Sequence, residues 1–348
     1  MGKKYITMEK IDFVLIWVDD NDPVWQDSLR KYTQLESGDA RPVRFRDWGT
    51  LRYWFRGVEK FAPWVNNIYF ITCGHYPDWL NINHPKLKFI KHSDYIPEKY
   101  LPTFNSRTIE LNLHRIDSLS ERFVYFNDDT FIINHLSPKR FFVKDKVRDI
   151  AVLSARQPKG DDRDYVMANN TGFVNRFFDK RDVLKKNIRG WFNACYGKLL
   201  LRTFALYPYP SFTGLYNPHL PNPYFKTTLK NVWALDYHTL DATCSCRFRN
   251  FRNVNQYVFR YYQLAEGMFE PINPWKTSVS YAYMNDDILM EAIDVISKQK
   301  KSLICVNDGE VSDFEYSKSI LCEAFNKILP DKCSFELSFR NIKFINER

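Results

Sequence analysis

Acidic side chains follow three apolar segments of this sequence, at the points where buried strands would end. They are Asp19 and Asp20 after 11–18, Asn127, Asp128 and Asp129 after 123–126, and Asn307 and Asp308 after 303–306. Grouped carboxylates suit a hard cation such as Mg²⁺ or Mn²⁺, which takes oxygen ligands and keeps substrate phosphate in its shell. Asn and Asp also form most turns, so a single Asn-Asp pair is better explained as a turn. With three such strand ends in one chain, a metal site and ordinary turns both remain possible interpretations.

A histidine in a proline-rich loop is a candidate general base. His219 lies in PHLPNP, and prolines on both sides exclude a helix interior. An imidazole titrates near neutral pH and can take a proton from a hydroxyl group. A loop histidine without a catalytic role is the alternative.

Several arginines could hold phosphate, because the guanidinium fork matches phosphate oxygens. The candidates are Arg46, Arg52, Arg56, Arg247, Arg249 and Arg252. For each of them a solvated helix face is the alternative. The stretch CRFRNFR (246–252) alternates Arg with aromatic residues, which would also suit a strand with one buried face.

The elements that must position these groups alternate between strands and helices in the first part of the chain. Strands are predicted at 11–18, 67–74 and 123–126, with a shorter one within 86–97, and helices at 51–65 and 106–120. This order indicates an α/β domain with a mainly parallel sheet. Such sheets bind ligands beyond the carboxyl ends of their strands, where the first two acidic clusters fall.

The pattern changes after about residue 140 and suggests three parts. We expect 1–150 to be the first part of an α/β core, 151–230 a helical, aromatic-rich insertion over the site, and 231–348 the second part of the core. Helices are predicted near 172–190, 192–205, 250–266, 285–300 and 312–328, with a further strand in 303–310.

Composition limits the function classes. The formal net charge is +9, with the densest basic cluster at KQKKS (298–302), which favours polyanionic partners. No nucleic-acid motif accompanies the charge, so nucleic acid is not an expected partner. The start MGKKYITMEK has no apolar core of a secretion signal, and no stretch is long enough to span a membrane. The seven cysteines are scattered, which predicts free thiols in a reducing cytoplasm.

Four blocks of the sequence resemble the Stealth family, which joins bacterial capsular polysaccharide phosphotransferases and the catalytic subunit of animal GlcNAc-1-phosphotransferase. The blocks are IDFVLIWVDDNDPVW (11–25), the region 46–132 ending in FVYFNDDTFI, PHLPNPYF (218–225) with FRN and YYQL in 248–264, and ICVNDGEVSDFE (304–315). The resemblance implies a Rossmann-like core similar to that of nucleotide-sugar transferases. It also implies transfer of a sugar-1-phosphate from a nucleotide sugar to a saccharide or lipid-linked polysaccharide acceptor, with Mg²⁺ or Mn²⁺.

The resemblance also implies roles for residues of these blocks. Catalysis is expected from His219 as the base, with Asp128 and Arg249, and the metal from Asp128, Asp129 and Asp308. The nucleotide and phosphates are expected to meet Trp17, Asp19, Asp20, Arg52, Asn105, Ser106, Glu110, Asn127, Arg252 and Asn307. Arg252 is a rival of Arg249, because the alignment can shift by three residues. Many relatives have Gly where this chain has Asp20, which leaves its role and the choice of donor in doubt.

Two other functions fit parts of the sequence. A metal-dependent glycosyltransferase would use the same donor but release a nucleoside diphosphate. A carbohydrate-binding module would explain the 17% aromatic content but needs neither the acidic strand ends nor His219. We expect a cytoplasmic protein that works at the inner face of the cell membrane, with peripheral membrane association suggested by the positive charge.

Overall fold

The computed structural model describes residues 9–34, 46–155, 157, 160 and 162–337. The prediction that the start MGKKYITMEK is not a secretion signal therefore concerns residues outside the described ranges, except for residues 9 and 10. The strands are β1 (Ile11–Ile16), β2 (Ile68–Thr72), β3 (Leu87–Lys91), β4 (Arg122–Phe126), β5 (Thr130–Ile132), β6 (Phe142–Val143), β7 (Lys146–Asp149), β8 (Asn222–Phe225), β9 (Phe269–Pro271), β10 (Ser278–Tyr281) and β11 (Leu303–Val306). The α-helices are α1 (Pro23–Thr33), α2 (Leu51–Phe61), α3 (Ser106–Leu111), α4 (Asp162–Phe177), α5 (Lys180–Lys186), α6 (Ile188–Trp191), α7 (Leu200–Leu206), α8 (Lys226–Leu235), α9 (Tyr237–Cys244), α10 (Tyr257–Ala265), α11 (Asp286–Ser297) and α12 (Phe314–Ile328).

The central sheet has the order β3-β2-β1-β4-β8, and its first four strands are parallel. Strands β1, β2 and β4 are almost wholly buried, as expected of continuous apolar runs covered on both faces. The prediction of an α/β fold with a mainly parallel sheet is confirmed. The antiparallel edge strand β8 was not predicted, because its sequence NPYF contains a proline, which a sheet tolerates at an edge.

A second sheet brings β10 and β11, from the last part of the chain, next to the segment that follows β4. Its order is β10-β11-β5, with β5 antiparallel to β11 and starting just after Asp129. The backbone N–H of Val306 donates to the carbonyl of Asp129 at 2.8 Å. Helix α2 packs directly on β5, since a Cβ at Gly57 would lie 2.4 Å from the carbonyl oxygen of Ile132. A third sheet has the order β6-β7-β9.

Two predicted helices are shorter than expected. Helix α3 ends at Leu111 and gives way to a 3-10 turn at Leu113–Arg115, after the side chain of Asn112 has bonded back to the carbonyl of Thr108. Residues 246–256 form a loop, so neither a strand at 246–252 nor a helix from 250 is present there. The side-chain amide of Asn105 holds this loop, because it donates to the carbonyls of Cys246 (3.0 Å) and Phe248 (3.4 Å). In a strand, backbone N–H groups of a neighbouring strand would bond to these carbonyls.

One apolar core runs through all three predicted parts of the chain, from Ile11 to Phe335. A buried ion pair joins the first part to the last, since Arg260 donates to the carboxylate of Asp149 at 2.7 Å and 3.0 Å. Arg260 also donates to the side chain of Asn217 at 2.7 Å and thereby fixes the segment that leads into His219. Among the described residues, no helix has the length and apolar character needed to cross a bilayer.

Candidate active site

The carboxyl ends of β1 and β4 lie side by side at one edge of the central sheet, because these strands are parallel neighbours. This places the segment that starts at Trp17 next to the segment that starts at Asn127. The antiparallel β8 begins at this same edge, with Asn222 opposite Tyr125. The loop before β8 therefore delivers His219 to the end of β4.

His219 and Asp129 form a hydrogen-bonded pair. Nε2 of the imidazole lies 2.8 Å from Oδ2 of Asp129 and 3.3 Å from Nδ2 of Asn127. The carboxylate of Asp129 raises the pKa of His219 well above its ordinary value, although burial acts in the opposite direction. Burial alone would raise the pKa of Asp129, but the imidazole and the hydroxyl of Thr130 (2.9 Å) lower it. The contact thus favours the charged forms of both side chains.

Cys305 is a member of this site that the sequence did not indicate. Its Sγ lies within 4.8 Å of the ligand atoms of Asp129 and His219, and its side chain is buried on β11. Burial raises the pKa of the thiol to about 11, so it is protonated and can donate a hydrogen bond. Only the pairing of β11 with β5 brings it there, opposite Thr130.

Asp128 carries a strongly perturbed carboxyl group on the open side of the site. The surrounding protein desolvates it and Asp129 repels its charge, which together raise its pKa to about 7. Asp47 adds to the repulsion, whereas Arg249 opposes it. Asp47 also acts on Asp20, whose pKa is raised by burial and by Asp19. Asp47, in the loop before α2, is therefore a further acidic residue that acts on the site and that the sequence analysis missed.

Arg249 reaches the site from the loop at 246–256. Its Nη2 donates to the hydroxyl of Ser106 at 2.8 Å, and its charge acts on both Asp128 and Glu110. Glu110 is buried, and burial raises its pKa while Arg249 opposes the rise. It accepts hydrogen bonds at 3.3 Å from Tyr125 and from the backbone N–H of Gln256. The positive charge that acts on Asp128 thus belongs to a guanidinium held by Ser106.

Three residues predicted to bind the donor make contacts within the protein. Asn105 is fully buried, and its amide holds the 246–256 loop, so it acts on the site through the position of Arg249. Arg252 is exposed, and its guanidinium lies over the ring of Phe251. Arg52 lies at the start of α2 with its guanidinium 5.5 Å from the ring centre of Trp79.

Two other arginines considered for phosphate are occupied by structural contacts. Arg56 forms a buried ion pair with Glu336, with a shortest contact of 2.6 Å. Arg247 donates to the carbonyl of Pro102 and stacks on Tyr32, with 4.4 Å between the guanidinium carbon and the ring centre.

The end of β1 forms a partly buried aromatic surface. Trp17 stacks on Phe70, with ring centres 5.8 Å apart, and meets the edge of His75 at 5.4 Å. Burial lowers the pKa of His75, and its Nε2 accepts a 2.9 Å hydrogen bond from the backbone N–H of Asp19. His75 is thus a neutral imidazole that orders the loop carrying Asp19 and Asp20. The half-buried indole offers a face on which a base could stack.

Asp308 is not a member of the cluster formed by Asp129, His219 and Cys305. Its carboxylate accepts a two-pronged hydrogen bond from Arg46, with 2.9 Å between Nε and Oδ2. Asn307 donates to the carbonyl of Ala282 at 2.9 Å. Of the predicted metal ligands Asp128, Asp129 and Asp308, the third is thus held by the guanidinium of Arg46, which neutralises its charge.

The donor set around Asp128 fits a hard cation better than a soft one. Asp128 is crowded by the negative charges of Asp129 and Asp47, and a divalent cation would relieve that repulsion. Mg²⁺ needs only one or two protein carboxylates when substrate phosphates complete its shell. Asp129 already accepts hydrogen bonds from His219 and Thr130, so Asp128 is the carboxylate better placed to hold such an ion.

Comparisons with known proteins agree on one family. Residues 44–150 match the model for conserved region 2 of Stealth proteins. The capsular polysaccharide phosphotransferase WcwK of Streptococcus pneumoniae is 40% identical over 333 residues, which cover 94% of this chain and 98% of that protein. The exopolysaccharide phosphotransferase cps2G of Lactiplantibacillus plantarum is 38% identical, with 94% and 96% covered. The receptor polysaccharide phosphotransferase WefC of Streptococcus gordonii is 35% identical, with 95% and 100% covered.

Among solved structures, mouse xyloside xylosyltransferase 1 is similar to this chain at a TM-score of 0.36 and 9% identity. The match covers 86% of this chain and 98% of that one.

Proposed function

The chain belongs to the Stealth family of polysaccharide phosphotransferases, and on that premise we propose that it moves a sugar-1-phosphate from a nucleotide sugar to an acceptor saccharide. The donor that we propose is UDP-GlcNAc or another nucleotide hexose. An acceptor hydroxyl oxygen forms a bond to the phosphorus next to the sugar, and the bridging P–O bond of the pyrophosphate breaks. The products are a phosphodiester in a cell-surface polysaccharide and a nucleoside monophosphate.

The observation that carries this proposal is the pairing of His219 with Asp129 beside Asp128. An alcohol is a poor nucleophile until a base takes its proton, and His219 is the imidazole at hand. The carboxylate of Asp129 orients the ring and stabilises the imidazolium that forms when the proton is taken. The same contact raises the pKa of His219, so a base role requires that turnover rises with pH. The thiol of Cys305 supports the pair from the buried side.

Arg249 would neutralise negative charge on the phosphates of the donor. Its guanidinium lies beside Asp128 and is steadied by Ser106, which suits it to bind the donor pyrophosphate. Trp17 offers a face for the nucleobase, and the loop of Asp19 and Asp20 lies next to it. These residues would bind and orient the donor so that the acceptor attacks in line with the bridging oxygen.

A Mg²⁺ or Mn²⁺ ion held by Asp128 would neutralise charge on the pyrophosphate and on the departing monophosphate. Asp129 would serve mainly as the partner of His219, and Asp47 and Asp20 would add negative potential around the ion. Asp308 would act through Arg46 rather than as a ligand. We further propose that the enzyme works in the cytoplasm at the inner face of the membrane, on a saccharide or lipid-linked polysaccharide.

The test is the nucleotide released when the purified protein meets UDP-GlcNAc, Mg²⁺ or Mn²⁺, and a capsule-type oligosaccharide. UMP together with a phosphodiester signal in the ³¹P NMR spectrum of the product supports sugar-phosphate transfer. UDP and a phosphorus-free product would instead identify a glycosyltransferase. Release of UMP must depend on the acceptor, be lost in His219→Ala and persist in His238→Ala, which alters an exposed histidine. A panel of nucleotide sugars that yields no monophosphate would contradict the proposal.

A further inference from the structure

The α5–α7 surface, residues 180–210, exposes large apolar side chains to solvent. Leu201 is 68% exposed, Phe204 55% and Ile188 59%, although helices normally turn such residues inwards. Tyr207 and Tyr209 follow on the same segment at 51% and 54%. Trp191 and Tyr196 of the same segment are buried, so the segment presents an apolar face outward as well as inward.

These side chains form one patch rather than scattered single residues. The ring of Phe192 lies 5.2 Å from that of Phe204 and 5.7 Å from that of Tyr207, measured between ring centres. Ile188 lies one helical turn before Phe192, whose backbone N–H donates to its carbonyl at 2.8 Å. The buried ammonium group of Lys180 joins α5 to the end of α7, since it donates to the carbonyl of Tyr207 at 2.9 Å.

The same segment carries most of the excess positive charge of the chain. Residues 180–210 contain seven Lys and Arg against a single Asp, a formal charge of +6 out of +9 for the whole sequence. Six of the seven are exposed and form no ion pair within the part of the chain that the structure describes: Arg181, Lys185, Lys186, Arg189, Lys198 and Arg202.

The basic cluster that stands out in the sequence behaves differently. In KQKKS (298–302), Lys298 and Lys300 both pair with Asp294, and Lys301 donates to the carbonyl of Trp275 at 2.8 Å. One carboxylate therefore compensates part of this charge, whereas the exposed Lys and Arg residues of the α5–α7 surface form no ion pair among the described residues.

We propose that the α5–α7 surface binds an anionic membrane. Leucine, phenylalanine and tyrosine side chains suit the boundary between lipid headgroups and acyl chains, and lysine and arginine around them suit anionic headgroups. The inference deepens the proposed function, on which it rests for the lipid-linked acceptor. The chain runs from Tyr209 to His219 in ten residues, so the base lies close in sequence to the segment that meets the lipid.

Cosedimentation with vesicles tests this surface directly. The probe is a phosphatidylcholine vesicle with or without phosphatidylglycerol, and the protein is the full chain at low and at high salt. We expect binding only with phosphatidylglycerol and a marked loss at high salt. Two double variants should each weaken binding roughly tenfold or more: Leu201→Asp with Phe204→Asp, and Lys185→Glu with Lys186→Glu.

Matched controls alter exposed residues elsewhere and should leave vesicle binding unchanged. They are Met290→Asp for the apolar change, and Lys230→Glu with Lys327→Glu for the charge change. Transfer to a water-soluble oligosaccharide should be equal in all variants, which separates a failed membrane surface from a failed reaction. The inference is overturned if the controls weaken binding as much as the surface variants, or if vesicles are not bound. It is also overturned if Leu201→Asp with Phe204→Asp instead dissociates a dimer in sedimentation velocity, since the patch would then be a subunit interface.

Discussion

Replacing Asp128 by Asn should remove activity and yet stabilise the fold. The carboxyl group has a pKa of about 7 in the folded protein, against an ordinary value of 3.8. Its ionised form is therefore disfavoured by folding, the reverse of the usual case for Asp. Below pH 3.8 the group is protonated in both states and costs nothing. As the pH rises towards 7 the unfolded chain ionises first, so stability is lost across that window and the loss is complete above it.

The size of the effect follows from the two pKa values. One unit corresponds to about 1.4 kcal/mol, so the full difference would be about 4 kcal/mol. Because the side chain of Asp128 is open to solvent, screening reduces this, and we expect about 1–2 kcal/mol. Asn has nearly the same shape without the charge, so Asp128→Asn should be more stable by about that amount at pH 8 and equal to the parent near pH 4.

Urea unfolding with EDTA at pH 4.5, 6 and 8 measures this difference. The control is Asp331→Asn, which removes an exposed carboxylate at another position. Added Mg²⁺ should then stabilise the parent by about 2.7 kcal/mol at a hundredfold excess over its Kd, and Asp128→Asn by much less. The quantity to compare is the free energy of unfolding of Asp128→Asn minus that of the parent. If this difference is no larger at pH 8 than at pH 4.5, the raised pKa of Asp128 is refuted. Equal stabilisation of both proteins by Mg²⁺ would refute Asp128 as its ligand.

Three further outcomes are expected. If His219 is the base, a plot of kcat against pH rises with pH. Asp129→Asn should move this rise to lower pH, because it removes the charge that raises the pKa of His219. A kcat that falls with pH would instead indicate that His219 acts in its protonated form. Arg249→Lys should raise the donor KM about 10- to 100-fold through loss of the charge-assisted fork, as measured by initial rates, whereas Arg252→Lys should not change it. Gly309→Ala should lower the urea midpoint by the equivalent of about 3 kcal/mol or more, since its Cβ would lie 2.1 Å from the carbonyl oxygen of Met284; an unchanged midpoint would show that this loop shifts freely.

Sequence alone determined the four parallel strands of the central sheet and the residue types at the ends of β1 and β4. The runs ending at Ile16 and Phe126 are continuous and apolar, which is a local property that shows in any short window. Because parallel strands share an edge, the acidic segments after them had to meet, and the structure has them on neighbouring strands. The family blocks added the phosphotransferase class, which the relatives bear out over nearly the whole chain.

The tertiary structure decided which side chains meet across long stretches of chain. His219 pairs with Asp129 across 90 positions because β8 runs antiparallel beside β4, and Cys305 joins them through β11. Asp308 looked like a third ligand, yet Arg46, 262 residues away, binds its carboxylate. No local pattern encodes such pairs, because they depend on strand order and on where loops close. Local sequence specifies which residues end a strand, whereas packing specifies which partner each of them finds.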